Sequence, residues 1–467
     1  MCDAADPNRS SAASHASANA DTVTNPLTVA VSIAVTVTVI HLVLVLAVQH
    51  WLVVNDIHLD PFSKAGVVYG ADTTSVLWRS AARAMHTDAP DARVILLGGD
   101  MLAHHFAEHA LAANRAPAAS ALGAMRSIAG DLDAVFPKAQ FLVTLGNNDD
   151  PCGDYRSEMG GPYQAQLARI WAPLVNRGGA APDFIAQFSR GGYYTARLPI
   201  RSERAIVLNS VFWSILYDGG CFSRPHEPGA TELTWLQHEL EDLPADTKAV
   251  VLMHIPPGYD PRGTEIVHRV VAVPFLTQSS NRAVLEALGS RANALRFIVG
   301  AHTHRYDFRI VAGVPMLVAS SISPIYQNNP AFFVLDVDDD GVLRNVHPYI
   351  YDAGTDGWIA EPSFDAMYGT HALTADALTT IAAKIRSDAG ARAAWRIAFD
   401  AWARMDGGMG DLWLPYACAQ TELDGGYAAC AGTANRTRVL VLVTVALLIV
   451  FVVGASLLLR RSATRSR

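Results

Sequence analysis

Charge is what this sequence has least of. Charged residues fill 17% of its 467 positions and apolar residues 51%, which excludes a disordered chain. A globular enzyme or a membrane-attached one remains. The formal net charge of -8 comes with no basic stripe, so nucleic acid is not expected as a partner. No repeat of fixed period is present, which excludes solenoid and propeller architectures. Cysteine is sparse, five in all. Cys2 precedes the first hydrophobic segment, whereas Cys152, Cys221, Cys418 and Cys430 lie between the two such segments. Four cysteines allow three pairings; Cys152 with Cys221 and Cys418 with Cys430 are expected if this region is exported, against four separate buried thiols if it is not.

Long hydrophobic runs are present at both ends. Residues 438–460 carry no charge between Arg438 and Arg460, a stretch long enough to cross a bilayer core of about 30 Å. Arg460, Arg461, Arg465 and Arg467 follow it, which predicts a transmembrane helix with its C-terminal tail in the cytoplasm. The run Leu27–Val48 fits either a membrane anchor or a signal peptide cleaved near Val45-Leu46-Ala47. Both readings put the region between the segments on the extracytoplasmic side. Residues 1–26, rich in Ala, Ser, Asn and Asp, read as a disordered tail.

Short apolar runs recur between those segments: Trp51–Val54, Arg93–Leu97, Gln140–Leu145, Ala205–Leu208, Ala249–Met253, Phe297–Val299 and Phe332–Val337. Alternating with Ala-rich helical stretches, they predict strands buried on both faces and an α/β architecture. From Thr374 the pattern is helical alone. Leu378, Ile381, Ala382 and Ile385 form one stripe and Trp395, Ala398, Phe399 and Trp402 another, with Gly390 between them and Gly407-Gly408 after the second. The tryptophans are expected to pack against the main domain.

Polar residues cluster where the buried runs end. Asp56 and His58 follow the first, Asp100 the second and Asn147 the third; His254 follows Ala249–Met253, and His302 and His304 follow Phe297–Val299. In parallel α/β sheets ligands bind at the carboxyl ends of strands. Carboxylate, imidazole and amide oxygen together suit zinc, iron or manganese. Two divalent ions need a bridging carboxylate, for which Asp100 is the candidate, and would activate a bridging water as the nucleophile.

The order D-x-H, G-D, G-N-x-D, H and H-x-H resembles the motif series of the calcineurin-like metallophosphoesterases, from about Trp51 to His304. The resemblance implies a four-layer αββα sandwich over 49–353, followed by a helical subdomain over 354–437; hydropathy and charge add 27–48 as signal peptide or membrane anchor, 438–460 as a transmembrane helix and 461–467 as a basic cytoplasmic tail. It implies one metal held by Asp56, His58, Asp100 and His304, and another by Asp100, Asn147, His254 and His302, with zinc the first candidate. His254-Ile255-Pro256-Pro257-Gly258, His104 four positions after Asp100, and the late cysteine pair are similar to the acid sphingomyelinase branch.

Two positions depart from the family pattern. Asn148 stands where a histidine that protonates the leaving group is usual, and an amide supplies no proton. Asn148 is then expected to donate a hydrogen bond to a phosphate oxygen, and His104 to serve as the acid. Ala301 replaces the usual glycine before His302. G-N-N-D and the segments Pro324-Ile325-Tyr326 and Asn328-Asn329-Pro330 also resemble endopolyphosphatases. The expectation is therefore a phosphodiesterase acting on a membrane lipid such as sphingomyelin, with a phosphoanhydride hydrolase and a metal-bound binding module as alternatives.

Overall fold

The computed structural model describes residues 48–222, 227–403, 409, 413–433 and 442–453. Each of the seven short apolar runs coincides with a strand to within three residues at either end, and these strands belong to two six-stranded sheets. The first runs in the order Gly357–Ala360, Leu343–Asp352, Ala331–Asp338, Val48–Val54, Val94–Leu97, Gln140–Val143. The second runs Asp307–Val311, Val314–Val318, Leu295–Gly300, Lys248–Leu252, Glu203–Val207, Tyr194–Arg197. In the first, Val48–Val54 pairs parallel with Val94–Leu97, which pairs parallel with Gln140–Val143. In the second, Lys248–Leu252 pairs parallel with both Glu203–Val207 and Leu295–Gly300. Antiparallel pairs flank both parallel blocks. The run-based reading missed outer strands such as Leu343–Asp352 and the edge strand Tyr194–Arg197, whose half-buried, alternating patterns carry no continuous apolar signal.

Alternation along the central strands sorts side chains into layers. Val250 and Leu252 join Phe297, Val299 and the strands of the first sheet in one hydrophobic cluster. Ala249, Val251 and Met253 point to the opposite face, where they meet Leu236 and Leu240 of helix Pro228–Glu241 and Val284 and Leu288 of helix Gln278–Ser290. Trp51 and Phe297, ring centroids 6.0 Å apart, close the space between the sheets. Helices Ser75–Asp88 and Pro117–Val135 pack in the same cluster as the first sheet. The result is a mixed α/β arrangement of helices, sheet, sheet and helices. Asn55 ties the sheets together next to the carboxyl ends of their strands, its amide donating to the carbonyls of Gly300 and Ala319 at 3.0 and 3.3 Å.

The C-terminal helices start as the stripes suggested. Thr374 caps helix Ala375–Ser387 through its hydroxyl, 3.2 Å from the Ala377 N–H. The break between the two helices falls at Asp388 rather than Gly390, because the Asp388 carboxylate caps the second helix at the Ala391 N–H, 2.7 Å away. Trp395 is fully buried and its indole N–H donates to Asp307 at 3.1 Å, docking the helix onto an edge strand of the second sheet. Gly407-Gly408 lie outside the described residues, as do residues 1–47. Cys152–Cys221 and Cys418–Cys430 are disulfide-bonded.

The expected transmembrane helix over 438–460 finds only partial correspondence. Residues 442–453 are helical and exposed, and the flanking parts of that run lie outside the described residues. Among the described residues no helix is long and apolar enough to cross a membrane.

Candidate metal centre

The carboxyl ends of five parallel strands deliver Asp56 and His58, Asp100, Asn147, His254, and His302 and His304 to one place. All seven are buried or nearly so. Two clusters emerge, Asp56 with His58 and His304, and Asp100 with His254 and His302. The first is tight: His58 Nε2 and His304 Nε2 lie 3.1 Å apart, and Asp56 Oδ1 lies 3.6 Å from His304 Nε2. In the second, His254 Nε2 faces Asn147 Oδ1 at 2.9 Å and His302 Nδ1 at 3.3 Å. A single oxygen, Asp100 Oδ2, reaches both clusters, 3.3 Å from His58 Nε2 and 3.5 Å from His254 Nε2.

Holding these groups together strains the chain. Asp56, His58, Asp100, His302 and His304 all have φ between 45° and 71°, the left-handed region that L-residues with side chains rarely adopt. Each such residue costs on the order of 1–3 kcal/mol, and such strain gathers at functional sites. Two glycines allow the loops to close on each other. A Cβ at Gly99, whose φ is +90°, would lie 2.5 Å from the Gly146 nitrogen, and one at Gly146 would lie 2.1 Å from Asp100 Oδ1. Ala301, the unusual alanine, is accommodated: it is fully buried and its N–H donates to the His254 carbonyl at 3.0 Å.

Outer hydrogen bonds aim the donors inward. His58 Nδ1 bonds the Leu102 carbonyl at 3.0 Å and His254 Nδ1 the Gly98 carbonyl at 2.7 Å, so each ring turns its Nε2 to the centre. Asp154 accepts from the Asn147 amide at 2.5 Å, which leaves the Asn147 oxygen facing inward. Tyr155 meets His302 Nε2 at 3.3 Å. Burial lowers the pKa values of His58 to about 4 and of His302 to about 3, and holds that of His304 well down. These rings are therefore neutral imidazoles, the form that binds a metal ion. For Asp100 burial acts upward, but His254, His58 and the Asn148 N–H prevail and hold the carboxyl well below its usual range. His254 goes the other way: burial acts downward, but Asp100 outweighs it and raises the pKa to about 9, and burial raises the Asp56 carboxyl. Three neutral imidazoles around the Asp100 carboxylate, with a fourth that would give up its proton to a metal, form a donor set that fits divalent cations.

A family model described as calcineurin-like phosphoesterase matches residues 50–306, the stretch that carries all seven residues. The chain belongs to the calcineurin-like phosphoesterase family. It is similar to a Dictyostelium discoideum protein named sphingomyelinase phosphodiesterase D, with 23% identity over 64% of this chain and 66% of that one. Among solved structures, a putative 5'-nucleotidase from Staphylococcus aureus is similar at 14% identity and a TM-score of 0.38, over 64% of this chain and 52% of the other. GAP50 of Plasmodium is similar at 9% identity and a TM-score of 0.38, over 70% and 89%.

Several residues of this phosphoesterase escaped the sequence reading. Asp72 accepts from both the backbone and the Nδ1 of His104, each at 2.9 Å. The His104 ring stacks on His58 with centroids 4.1 Å apart. Burial works to lower the His104 pKa, but the hydrogen bond and charge of Asp72 outweigh it and raise it. Asp149, the last letter of G-N-N-D, accepts four buried backbone N–H groups, from Gly146, Asp100, Met101 and Leu102, and so fastens two ligand loops together. Its place in the motif was the available signal; Asp72 stands in a loop with none. Asn148 turns onto Asp100, its backbone N–H 2.7 Å from Oδ1 and its amide 3.0 Å from Oδ2. Beside His302 opens a cavity of about 470 Å³ whose walls include Tyr155, Arg262, Phe275, Tyr326 and Tyr416.

Proposed function

We propose that this chain is a two-metal phosphodiesterase working outside the cytosol. The observation that carries the proposal is Asp100 Oδ2 standing between two imidazole clusters, the position a bridging carboxylate takes in a two-metal site. Asp56, His58, Asp100 and His304 would hold one divalent ion and Asp100, Asn147, His254 and His302 the other, zinc first, with manganese or iron as alternatives. The ions would supply Lewis-acid activation of the phosphoryl group and an acidified water as nucleophile.

This chain's own residues do the rest. Asp149 and Asn148 fix Asp100 in place, and Asp154 orients Asn147. His104 is the proton donor to the leaving oxygen. With Nδ1 engaged by Asp72, its Nε2 is left to deliver the proton, and Asp72 favours the protonated ring. Asn148 supports the centre through Asp100 and carries no proton of its own.

Phospholipids of the sphingomyelin type are the first substrate class, supported by the name of the Dictyostelium relative. Phosphoanhydrides are the second, favoured by Asn148, since their leaving group needs no proton. The two disulfides support an oxidising, extracytoplasmic setting. Attachment through the apolar run 438–460 would hold the enzyme at a lipid surface.

The test is turnover of sphingomyelin, polyphosphate and bis-p-nitrophenyl phosphate by the full chain in detergent, with zinc or manganese added. Metal-dependent release of phosphocholine is the expected result, and Asp100→Asn should abolish both metal binding and turnover while the protein stays folded. Preference for polyphosphate would replace the lipid reading with the anhydride one. A folded, metal-loaded protein inactive on all three would sink the enzyme reading in favour of a binding module.

A further inference from the structure

The cavity beside His302 contains three arginines, and two are occupied. Arg305 pairs with Asp400 at 3.0 Å. Arg309 is buried and donates to the carbonyls of Pro257 and Tyr259 at 2.6 and 3.1 Å. Arg262, at the start of helix Pro261–Ile266, is different. Its guanidinium lies over the face of Tyr326, 4.6 Å from the ring centroid, and among the described residues it has no carboxylate partner. The acids of the same wall are turned to internal donors. Asp307 accepts from Trp395 and Gln420, Glu265 accepts from the Tyr416 hydroxyl, and Asp260 takes the backbone N–H groups of Gly263 and Arg262.

Tyr326 joins this cation to the metal centre. Its other neighbours are His304, with ring centroids 4.8 Å apart, and His104, at 6.3 Å. One ring thus separates the guanidinium from a proposed metal-binding histidine, in the wall of the cavity. Because His302 and Arg262 line the same cavity, a substrate whose phosphoryl group sat at Asp100 would extend a second phosphoryl group into the space that Arg262 faces. A planar guanidinium already laid flat on an aromatic ring is preorganised for bidentate recognition of phosphate.

We propose that Arg262 selects substrates in which the phosphoryl group at the Asp100 centre is joined to a second anionic group. That chemistry occurs in a soluble phosphoanhydride and in a lipid headgroup bearing a further phosphate. A quaternary ammonium placed there would meet a like charge. The assignment rests on the phosphoesterase reading above and moves its substrate class away from sphingomyelin, toward phosphoanhydrides and headgroups bearing a further phosphate.

The experiment compares wild type, Arg262→Ala and Arg262→Lys as full-length, zinc-loaded proteins. Substrates are tripolyphosphate, vesicles containing a phosphoinositide phosphate, and bis-p-nitrophenyl phosphate, which lacks a second anion. Loss of a charge-assisted hydrogen bond is worth about 10- to 100-fold. Arg262→Ala should therefore lower kcat/KM by about that factor on the substrates carrying a second anion, mostly through KM, and by no more than about threefold on bis-p-nitrophenyl phosphate. Arg262→Lys should recover part of the loss. A loss confined to tripolyphosphate identifies the soluble anhydride as the source of the second anion, and one confined to the vesicles identifies the lipid. An equal loss on all three substrates, or none on either anionic one, overturns the role of Arg262 while the metal centre stands. Absence of metal-dependent turnover by wild type on every substrate overturns both.

Discussion

Removing the Asp149 side chain tests how the centre is held in shape. Its two oxygens accept the N–H groups of Gly146 at 2.8 Å, Asp100 at 2.9 Å, Met101 at 2.7 Å and Leu102 at 3.3 Å, all out of water. A buried donor left without a partner costs about 1–3 kcal/mol, and hydrogen bonds to a charged acceptor are at the upper end. The Leu102 contact is long and shares its oxygen with Met101, and water entering the vacated space offsets part of the loss. Asp149→Ala should therefore destabilise the protein by about 3–5 kcal/mol, a large share of the roughly 5–15 kcal/mol typical of a domain. Asp149→Asn keeps one acceptor oxygen and faces the remaining donors with an amide N–H, so it should cost roughly half as much. Burial and the neighbouring Asp100 push the Asp149 carboxyl up to about 7, so the comparison belongs above that pH, where the carboxylate is charged. Urea unfolding of the oxidised, metal-free protein measures the cost, and zinc titration of the folded variants measures the effect on the ligand loops. Zinc should bind the Asn variant more weakly than wild type, because Asp100 and Asn147 lose their common fastening. An Asp149→Ala variant within about 1 kcal/mol of wild type would refute the reasoning, since four buried donors would then have found other partners.

Asp72→Asn should lower turnover of an alkoxide-releasing substrate by about tenfold or more, and His104→Ala by about 100-fold, with far smaller losses on bis-p-nitrophenyl phosphate, whose leaving group needs no acid. Equal losses on both substrates would remove His104 from the acid role. On the first sheet, the hydrogen bond that His347 donates to the Asp336 carboxylate, 2.8 Å away, raises the His347 pKa above 6.5. A raised folded-state value means this stabilisation is fully present below about pH 6.5 and is lost as pH rises through the folded-state pKa. The difference in Tm between wild type and His347→Asn should thus be larger near about pH 5.5 than near about pH 9, and a difference that grows with pH would reverse the assignment. Chain entropy predicts that opening Cys152–Cys221, which spans 69 residues, costs about 4 kcal/mol, and that opening Cys418–Cys430, which spans 12, costs about 3 kcal/mol. Urea unfolding of Cys221→Ser and Cys430→Ser checks the order.

The core of the fold was legible in the sequence because its central strands are buried on both faces. Runs such as Ala249–Met253 therefore announce themselves without any partner being known. The seven candidate ligands were legible for a related reason: each follows directly after such a run, and the carboxyl ends of parallel strands converge. Half-buried outer strands such as Tyr194–Arg197 were not legible, because such a strand spends every second residue on solvent. Nor were Asp72 and Arg262, which reach the centre from a loop and from a short helix, and Tyr326 stood only in a segment marked by resemblance, with no role assigned to it. Their proximity to His104 and His304 depends on how the loops pack, and no local pattern encodes that. The helix break at Asp388 rather than Gly390 shows a side-chain cap deciding a boundary that composition assigned to glycine.

The two sheets each contribute only part of the proposed centre. Asp56, His58, Asp100 and Asn147 follow strands of one, and His254, His302 and His304 follow a strand pair of the other. Neither proposed ligand set is complete within one sheet. A chain with only one sheet formed would be unable to retain a metal, so loading would come last, after the two sheets have docked. Metal uptake would then act as a proofreading step for this fold, and a chelator would act first on the seam between the sheets.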